Sequence, residues 1–351
     1  MKDGIEEHIE TLWAAAMAGD EYAAADAAMA ALDAGISMET LLLDVVAAVQ
    51  SRVGREWVAN RITVAQEHTA TAVNERVVAA LAHRPAGWES PAPSRGRITV
   101  ACVDGEWHAF PARLLSEVLR VRGWRVDYLG AQVPAPHLVA HLHRTNPDAV
   151  ALSSSLAIRL PAAHTTIAAC QAAGTPVLAG GAAFGQDGRY ARLLGADAWA
   201  SDARAAADLL AAGPLPRRPT SGQNGDRPPH LADHEYTQLT QSAADLVRGV
   251  VGQPAEPAPE PAEGAERQLG PTAENIAYIV DYLRAALYVD DPELFSSFAA
   301  WMAGMLAARG TPARVLLSAL DALADHLTDL PRALAMLARA RSELSRSEPG
   351  R

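Results

Sequence analysis

Between residues 97 and 200, five short apolar or β-rich runs alternate with helix-length segments, and no other feature of the chain narrows its fold so far. The runs cover residues 98–103, 125–128, 149–153, 176–178 and 198–200. Strands separated by helices of about 10 to 15 residues form βαβ units, which assemble as a parallel sheet with right-handed crossovers. A Rossmann-like (flavodoxin-like) α/β domain is therefore expected over residues 95–213. In such a sheet the functional groups gather beyond the carboxyl ends of the strands, near the point where strand order switches.

The flanking sequence has a different character. Residues 5–84 hold no proline and place Ala, Leu and Val at three- and four-residue spacing, so residues 1–85 predict a bundle of about four helices punctuated by Gly35 and Gly54. A proline-bearing stretch at 85–93 closes it. Residues 214–268 are expected to connect, with one helix at about 233–251 and a Pro/Glu/Ala tether at 254–264 too polar to bury a core. Residues 270–345 predict a third, all-helical domain in which Asp290-Asp291-Pro292 starts one helix and Gly310-Thr311-Pro312 separates two others. The fold class is thus α/β plus all-α.

Composition removes several functions. A net charge of −11 opposes sequence-independent nucleic-acid binding, which needs clustered cations to displace counterions. Lys2 is the sole lysine, which argues against Schiff-base chemistry. Cys102 and Cys170 are the only cysteines, so a disulfide framework is not expected and a reducing cytoplasm is the simplest setting. No apolar run reaches membrane-spanning length.

The chemistry-bearing residues cluster where the sheet should present them. Glu106-Trp107-His108 follows the first strand; an imidazole there can ligate a metal such as cobalt, and a carboxylate two residues away can orient its second nitrogen. Gly130 to Pro134, including Val133, follows the second strand, Ser153-Ser154-Ser155-Leu156 the third, and Gly180-Gly181 the fourth. Small residues at several strand ends leave a slot in the sheet edge. His137, His141 and His143 lack a nearby carboxylate or thiol to complete a zinc set and are expected to be an exposed histidine-rich helix.

With the helical region before them, residues 95–213 resemble the cobalamin-binding domain shared by methionine synthase, corrinoid shuttle proteins and mutases. That family carries an Asp-x-His-x-x-Gly loop, a Ser-x-Leu-like turn and a Gly-Gly turn. The resemblance implies that His108 is the lower axial cobalt ligand, that Ser153 and Ser155 line a buried nucleotide tail, and that Gly180 and Gly181 allow close approach of the backbone. Glu106 stands where the family has Asp, and Pro111 where it has Gly. The serine that a methyl-transfer proton relay would use near Arg159 is missing.

Trp57, nine residues and then Glu67-His68 resembles the cap signature of adenosylcobalamin photoreceptors of the carotenoid-repressor type. The resemblance implies that Trp57 walls the adenosyl cavity and that Glu67 accepts hydrogen bonds from it. Repressor-type sensors place a histidine directly after the tryptophan as the upper ligand after illumination; Val58 stands there, leaving water or His68. Tyr278, Tyr282, Tyr288, Phe295, Phe298 and Trp301 crowd 24 residues of the last domain, and the domain order resembles photocobilins, which combine adenosylcobalamin with biliverdin. A bilin here would be noncovalent, since neither cysteine lies in that domain, with Tyr278, Tyr282 and Trp301 against it and Arg284, Arg309 or Arg314 on its propionates. The resemblance implies a non-enzymatic light sensor whose homo-oligomeric state responds to light and acts on a downstream protein. The alternative is a corrinoid carrier that passes a methyl group to a partner enzyme.

Overall fold

The computed structural model describes residues 2–83, 95–216, 233–251 and 272–347. The expected linker at 85–93 and the tether at 254–264 lie outside them. The chain divides into two units, residues 1–224 and 225–351.

The first unit opens with helices α1 (Lys2–Ala18) and α2 (Glu21–Asp33). A continuous helix α3 (38–58) follows, made of Met38–Thr40, a π-helical stretch Leu41–Val46 and Ala47–Val58, and then α4 (Val64–Ala82). The apolar stripes read from the sequence meet in one core containing Leu12, Leu32, Leu41, Val45, Val49, Val53, Val73 and Val77, each 4% exposed or less. Gly54 does not punctuate this bundle. It sits inside α3, which runs on to Val58 and turns at Asn60, whose φ is +56°. One glycine on an exposed helical face weakens the helix by only about 1 kcal/mol, too little to end it against a packed neighbour.

The α/β part follows as β1 (Gly96–Cys102), α5 (Phe110–Val121), β2 (Trp124–Gly130), α6 (Ala135–Thr145) and β3 (Ala149–Ser153). It continues with α7 (Leu160–Ala172), β4 (Val177–Gly180), α8 (Arg189–Leu193), β5 (Ala198–Ala200) and α9 (Ala203–Ala212). All pairs are parallel and the strand order is 2-1-3-4-5, the flavodoxin-like order, which reverses direction at β1 and β3. The register pairs Cys102 with Ser153, Ser153 with Gly180 and Gly180 with Ala200, so the loops after β1, β3 and β4 leave the sheet at one level.

The helical bundle shares its core with the sheet layer through α5 and α9. A charge cluster fastens the junction. Glu39 receives Arg122 through two hydrogen bonds of 2.8 Å, Arg204 reaches Glu39 at 3.2 Å and Asp44 at 3.0 Å, and Arg122 also pairs with Asp208. The paired Arg122 guanidinium, aided by Arg204, outweighs partial burial and holds the Glu39 carboxyl below its ordinary value. Among the described residues no helix is long and apolar enough to cross a membrane.

The second unit contains α10 (Glu235–Val251), α11 (Ala273–Val289), α12 (Pro292–Ala308), α13 (Ala313–His326) and α14 (Pro331–Ser347). The helix expected within the connector packs here, against α11 and α13. Glu235 ties it in: its carboxylate accepts from the Arg332 and Ala333 amides at 2.9 Å each, capping α14.

Candidate functional site

Two amphipathic requirements build the site. β1 must bury its apolar run, and the chain must then turn into α5, whose first turn accepts Pro111 because a proline lacks an N–H that would go unpaired there. The turn between them carries Glu106-Trp107-His108. Gly105 adopts φ +76°, a conformation that other residues rarely adopt, and a Cβ there would also fall 2.7 Å from the Arg159 guanidinium, which would have to shift.

Glu106 is fully buried, and its carboxylate is saturated with donors. Oε1 accepts the His108 amide at 2.9 Å and faces His108 Nδ1 at 2.6 Å. Oε2 accepts the amides of Ser155 at 2.8 Å and Leu156 at 3.0 Å and the Ser154 hydroxyl at 3.2 Å. Burial pushes its pKa up, but the His108 side chain and the backbone amides of His108, Leu156 and Ser155 outweigh it and hold the group at about 2. An ionised carboxylate only accepts, so Nδ1 carries the hydrogen, and in the neutral imidazole the lone pair is then on Nε2. His108 is 34% exposed, and the indole of Trp107 stacks on it at 4.0 Å and 29°. The ring is thus fixed in rotation by Glu106 and in tilt by Trp107. Burial pushes the neighbouring Cys102 thiol up to about 12, so it offers no thiolate there.

The sign of the pH effect follows from this depressed carboxyl. Its contribution to stability is fully present above the ordinary 4.5 and disappears as pH falls through about 2. Glu106→Gln should lower stability at neutral pH by about 3 kcal/mol, because an amide cannot accept this many donors in a buried place. Acid unfolding between pH 5 and 2 should correspondingly be shallower in the variant than in the wild type, as chemical denaturation at each pH will show.

Beside this turn lies a cleft of about 140 Å3. Its walls include Ser153, Gly180 and Gly181 at the strand ends, Pro111 on α5, and Ser201 and Asp202 before α9. The two glycines differ in kind. Gly181 has φ +100°, and a Cβ on it would fall 2.2 Å from the Ser154 carbonyl oxygen. Gly181→Ala should therefore destabilise the protein by about 3 kcal/mol or more, measurable by urea unfolding. Gly180 would meet only the Ala200 carbonyl, at 3.6 Å, an ordinary contact. Nothing among the described residues demands glycine at 180; what its missing side chain leaves is room in the cleft.

The expected residues sort accordingly. Ser153, Gly180 and Gly181 come together at the cleft. Ser155 is not among the residues that wall this cleft; its amide and that of Leu156 donate to Glu106, where the chain closes around the buried carboxylate after β3 ends at Ser153. Gly130 adopts φ +82° opposite the irregularity in β1, Val133 is buried, and the loop is tied to the Glu106 turn through the Gln132 amide donating to the Glu106 carbonyl at 2.9 Å. In the sequence one serine in a run of three looks like another; in the fold it is Ser154 that supplies the hydroxyl on Glu106.

On the bundle, Trp57 and Val58 end α3 and are half-buried, and the short connection 59–63 brings Glu67 back to the same end on α4. Thr63 and Gln66 form a capping box that fixes this start. Glu67 is partly exposed, accepts the Thr71 hydroxyl at 3.0 Å and pairs with His68, whose side chain is 65% exposed.

In the second unit Phe295, Phe298 and Tyr288 are buried core, and Tyr282 stacks on Phe298 at 3.7 Å and 6°. Tyr278 is half-buried and Trp301 is 42% exposed. Arg284 is already engaged, by Asp281 at 2.9 Å and Thr240 at 3.1 Å. His141 pairs with Asp127 at 3.2 Å while His137 and His143 are exposed, and the described residues contain no group of three metal-ligating side chains.

Comparison with known proteins places this geometry. Residues 96–210 match the B12 binding domain, and residues 8–82 match a second B12 binding domain model. The HTH-type transcriptional repressor CarA of Myxococcus xanthus is 39% identical over 97 residues, 26% of this chain and 31% of the repressor, so the match spans about a third of that relative's length. The monomethylamine corrinoid protein of Methanosarcina barkeri superposes on 59% of this chain and 99% of its own with a TM-score of 0.51 at 18% identity, a likeness of fold.

Proposed function

We propose that this chain, whose residues 96–210 and 8–82 match B12 binding domain models, is an adenosylcobalamin-dependent light sensor of the carotenoid-repressor type rather than an enzyme. The observation that carries the site is the part-exposed His108 imidazole, held through Nδ1 by a buried, ionised Glu106 in the turn that leads into α5, whose Pro111 walls a cleft of small side chains. These residues fit a corrinoid. A single imidazole donor suits cobalt, and Gly180 leaves open a space that protein packing alone would have filled. When bound, adenosylcobalamin supplies a cobalt–carbon bond that visible light cleaves.

The chain's own residues would do the rest. His108 would hold the metal from below, with Glu106 keeping Nδ1 protonated and the lone pair on Nε2. Ser153, Gly180 and Gly181 would admit the nucleotide tail, while Trp57 would wall and Glu67 would hydrogen-bond the upper organic group. Loss of that group would free the end of α3 and α4 to repack, and we assign the output to a change in association between copies of this chain, read by a partner protein. Val58 supplies no ligand, so this response does not run through the residue after the tryptophan.

The test is illumination of the purified, adenosylcobalamin-loaded protein. Green light should convert the spectrum within minutes and move the size-exclusion elution; a spectrum that converts with no movement would remove the sensor reading. The carrier alternative has one observation in its favour, the continuous series from the Ser154 hydroxyl through Glu106 to His108 Nδ1, which can accommodate a proton when the imidazole lets go. A carrier would accept methylcobalamin as readily and keep its elution under light. A second chromophore, a noncovalent biliverdin, rests on Trp301, which stands exposed beside the Tyr282–Phe298 stack. Supplying a haem-derived bilin during expression should then add an absorption band well to the red of the cobalamin bands.

A further inference from the structure

Within the helical bundle a polar chain crosses from α3 to α4. Asn74 Nδ2 donates to Gln50 Oε1 at 2.8 Å, Gln50 Nε2 donates to the Thr71 hydroxyl at 2.8 Å, and that hydroxyl donates to Glu67 Oε1 at 3.0 Å. Asn74 is completely buried, and its Oδ1 has no hydrogen-bond partner.

The direction of this chain is dictated from one end. A carboxylate offers no hydrogen, so Thr71 must donate to Glu67 and accept from behind. Gln50 must then present its amino group to Thr71 and its carbonyl to α4, which obliges Asn74 to present its amino group in turn. The carbonyl of Asn74 is what remains, buried and unpaired. A bundle that needed only to pack would place an apolar side chain at 74, since a fully buried amide with an orphaned oxygen, tied to a half-buried Gln50, is less stable there than a leucine. The arrangement is explained by what it does at the far end: three side chains hold one oxygen of Glu67 in a fixed place.

We propose that Asn74, Gln50 and Thr71 are positioning residues that hold the Glu67 carboxylate for a hydroxyl- or amine-bearing ligand group, making the bundle select the adenosyl form of the cofactor over forms without a sugar. This rests on the proposed function and adds to it the origin of selectivity. None of the three touches the cofactor; each acts through Glu67.

The experiment is spectral titration of the full chain in the dark with adenosylcobalamin and, separately, hydroxocobalamin, alongside thermal unfolding of the cofactor-free protein. Thr71→Val and the double variant Gln50→Leu/Asn74→Leu should each weaken adenosylcobalamin about 10-fold, a loss of about 1.4 kcal/mol, and leave hydroxocobalamin within about 2-fold. Thr71→Ser keeps the hydroxyl and should behave as wild type. The double variant, which removes both partners and the orphaned oxygen, should unfold at the same or a higher temperature without cofactor. Equal weakening of both corrinoids, an unchanged preference, or a lower melting temperature with the preference intact would show the chain to be structural and overturn the proposal. A wild-type preference that the variants retain sinks this inference alone; a wild-type chain that binds neither corrinoid sinks the function on which it rests, and the inference with it.

Discussion

His108→Ala should yield a folded protein that binds corrinoid at least about 100-fold more weakly and, at saturating concentration, gives a spectrum without a lower imidazole. The expectation of folding comes from exposure. The ring is about one-third open to solvent, and truncation takes one donor from the buried Glu106 carboxylate while its four other donors stay, so it should cost about 1 to 2 kcal/mol and leave the fold intact. The expectation for binding comes from rank among the contacts: orienting partners behind a metal ligand are commonly worth about 10- to 100-fold, and the ligand itself is worth more. Glu106→Gln should move the spectrum in the same direction by less, because the imidazole stays while its fixed tautomer is lost. The order of the two effects matters. If Glu106→Gln removed the imidazole signature and His108→Ala did not, the ligand would be another residue, and an unchanged spectrum in His108→Ala would have the same meaning.

What the sequence shows of this site, and what it hides, follows from how local each requirement is. The inner strands β1, β3 and β4 are legible because burial on both faces leaves an apolar run that no surface helix carries, and the edge strands β2 and β5, only partly buried, are legible from their alternation with helices. Glu106 and His108 are legible as a pair because two residues of one turn are close in any conformation. Ser154 is not, since the hydroxyl that reaches Glu106 is set by how β3 ends and by which of three serines faces a carboxylate 48 residues earlier. The same cause moved Ser155 from the cleft to the carboxylate. In the bundle, Glu67 stands out beside His68, whereas Asn74 and Gln50 look like ordinary polar positions until α3 and α4 are packed. The aromatic crowding of the last helices was visible, but not its division into core and surface: Phe295 and Phe298 are interior, and Trp301 is not.

Gly180→Val should separate the cleft from the fold more cleanly than any other single change. A side chain at 180 enters at the end of β4, where the backbone is extended and a β-branched residue is favoured, and its first carbon meets only the Ala200 carbonyl at 3.6 Å. Stability should consequently stay within about 1 kcal/mol of wild type, in contrast to the neighbouring Gly181→Ala, whose new carbon would overlap the Ser154 carbonyl. The rest of the valine must go into the cleft, which holds only about 140 Å3 and is walled by the sheet edge and the first turns of α5 and α9. Close-packed walls do not retreat for an added side chain, so a ligand tail that needs the space would be excluded. Binding of every cobalamin form, with or without an adenosyl group, should fall by more than about 100-fold, or 2.7 kcal/mol. That indifference to the upper group distinguishes the cleft from the Glu67 end of the bundle, where only the adenosyl form should respond. A Gly180→Val protein that melts like wild type and still takes up cobalamin at full affinity would mean that the tail lies elsewhere, and that the open space beside β4 has no part in holding it.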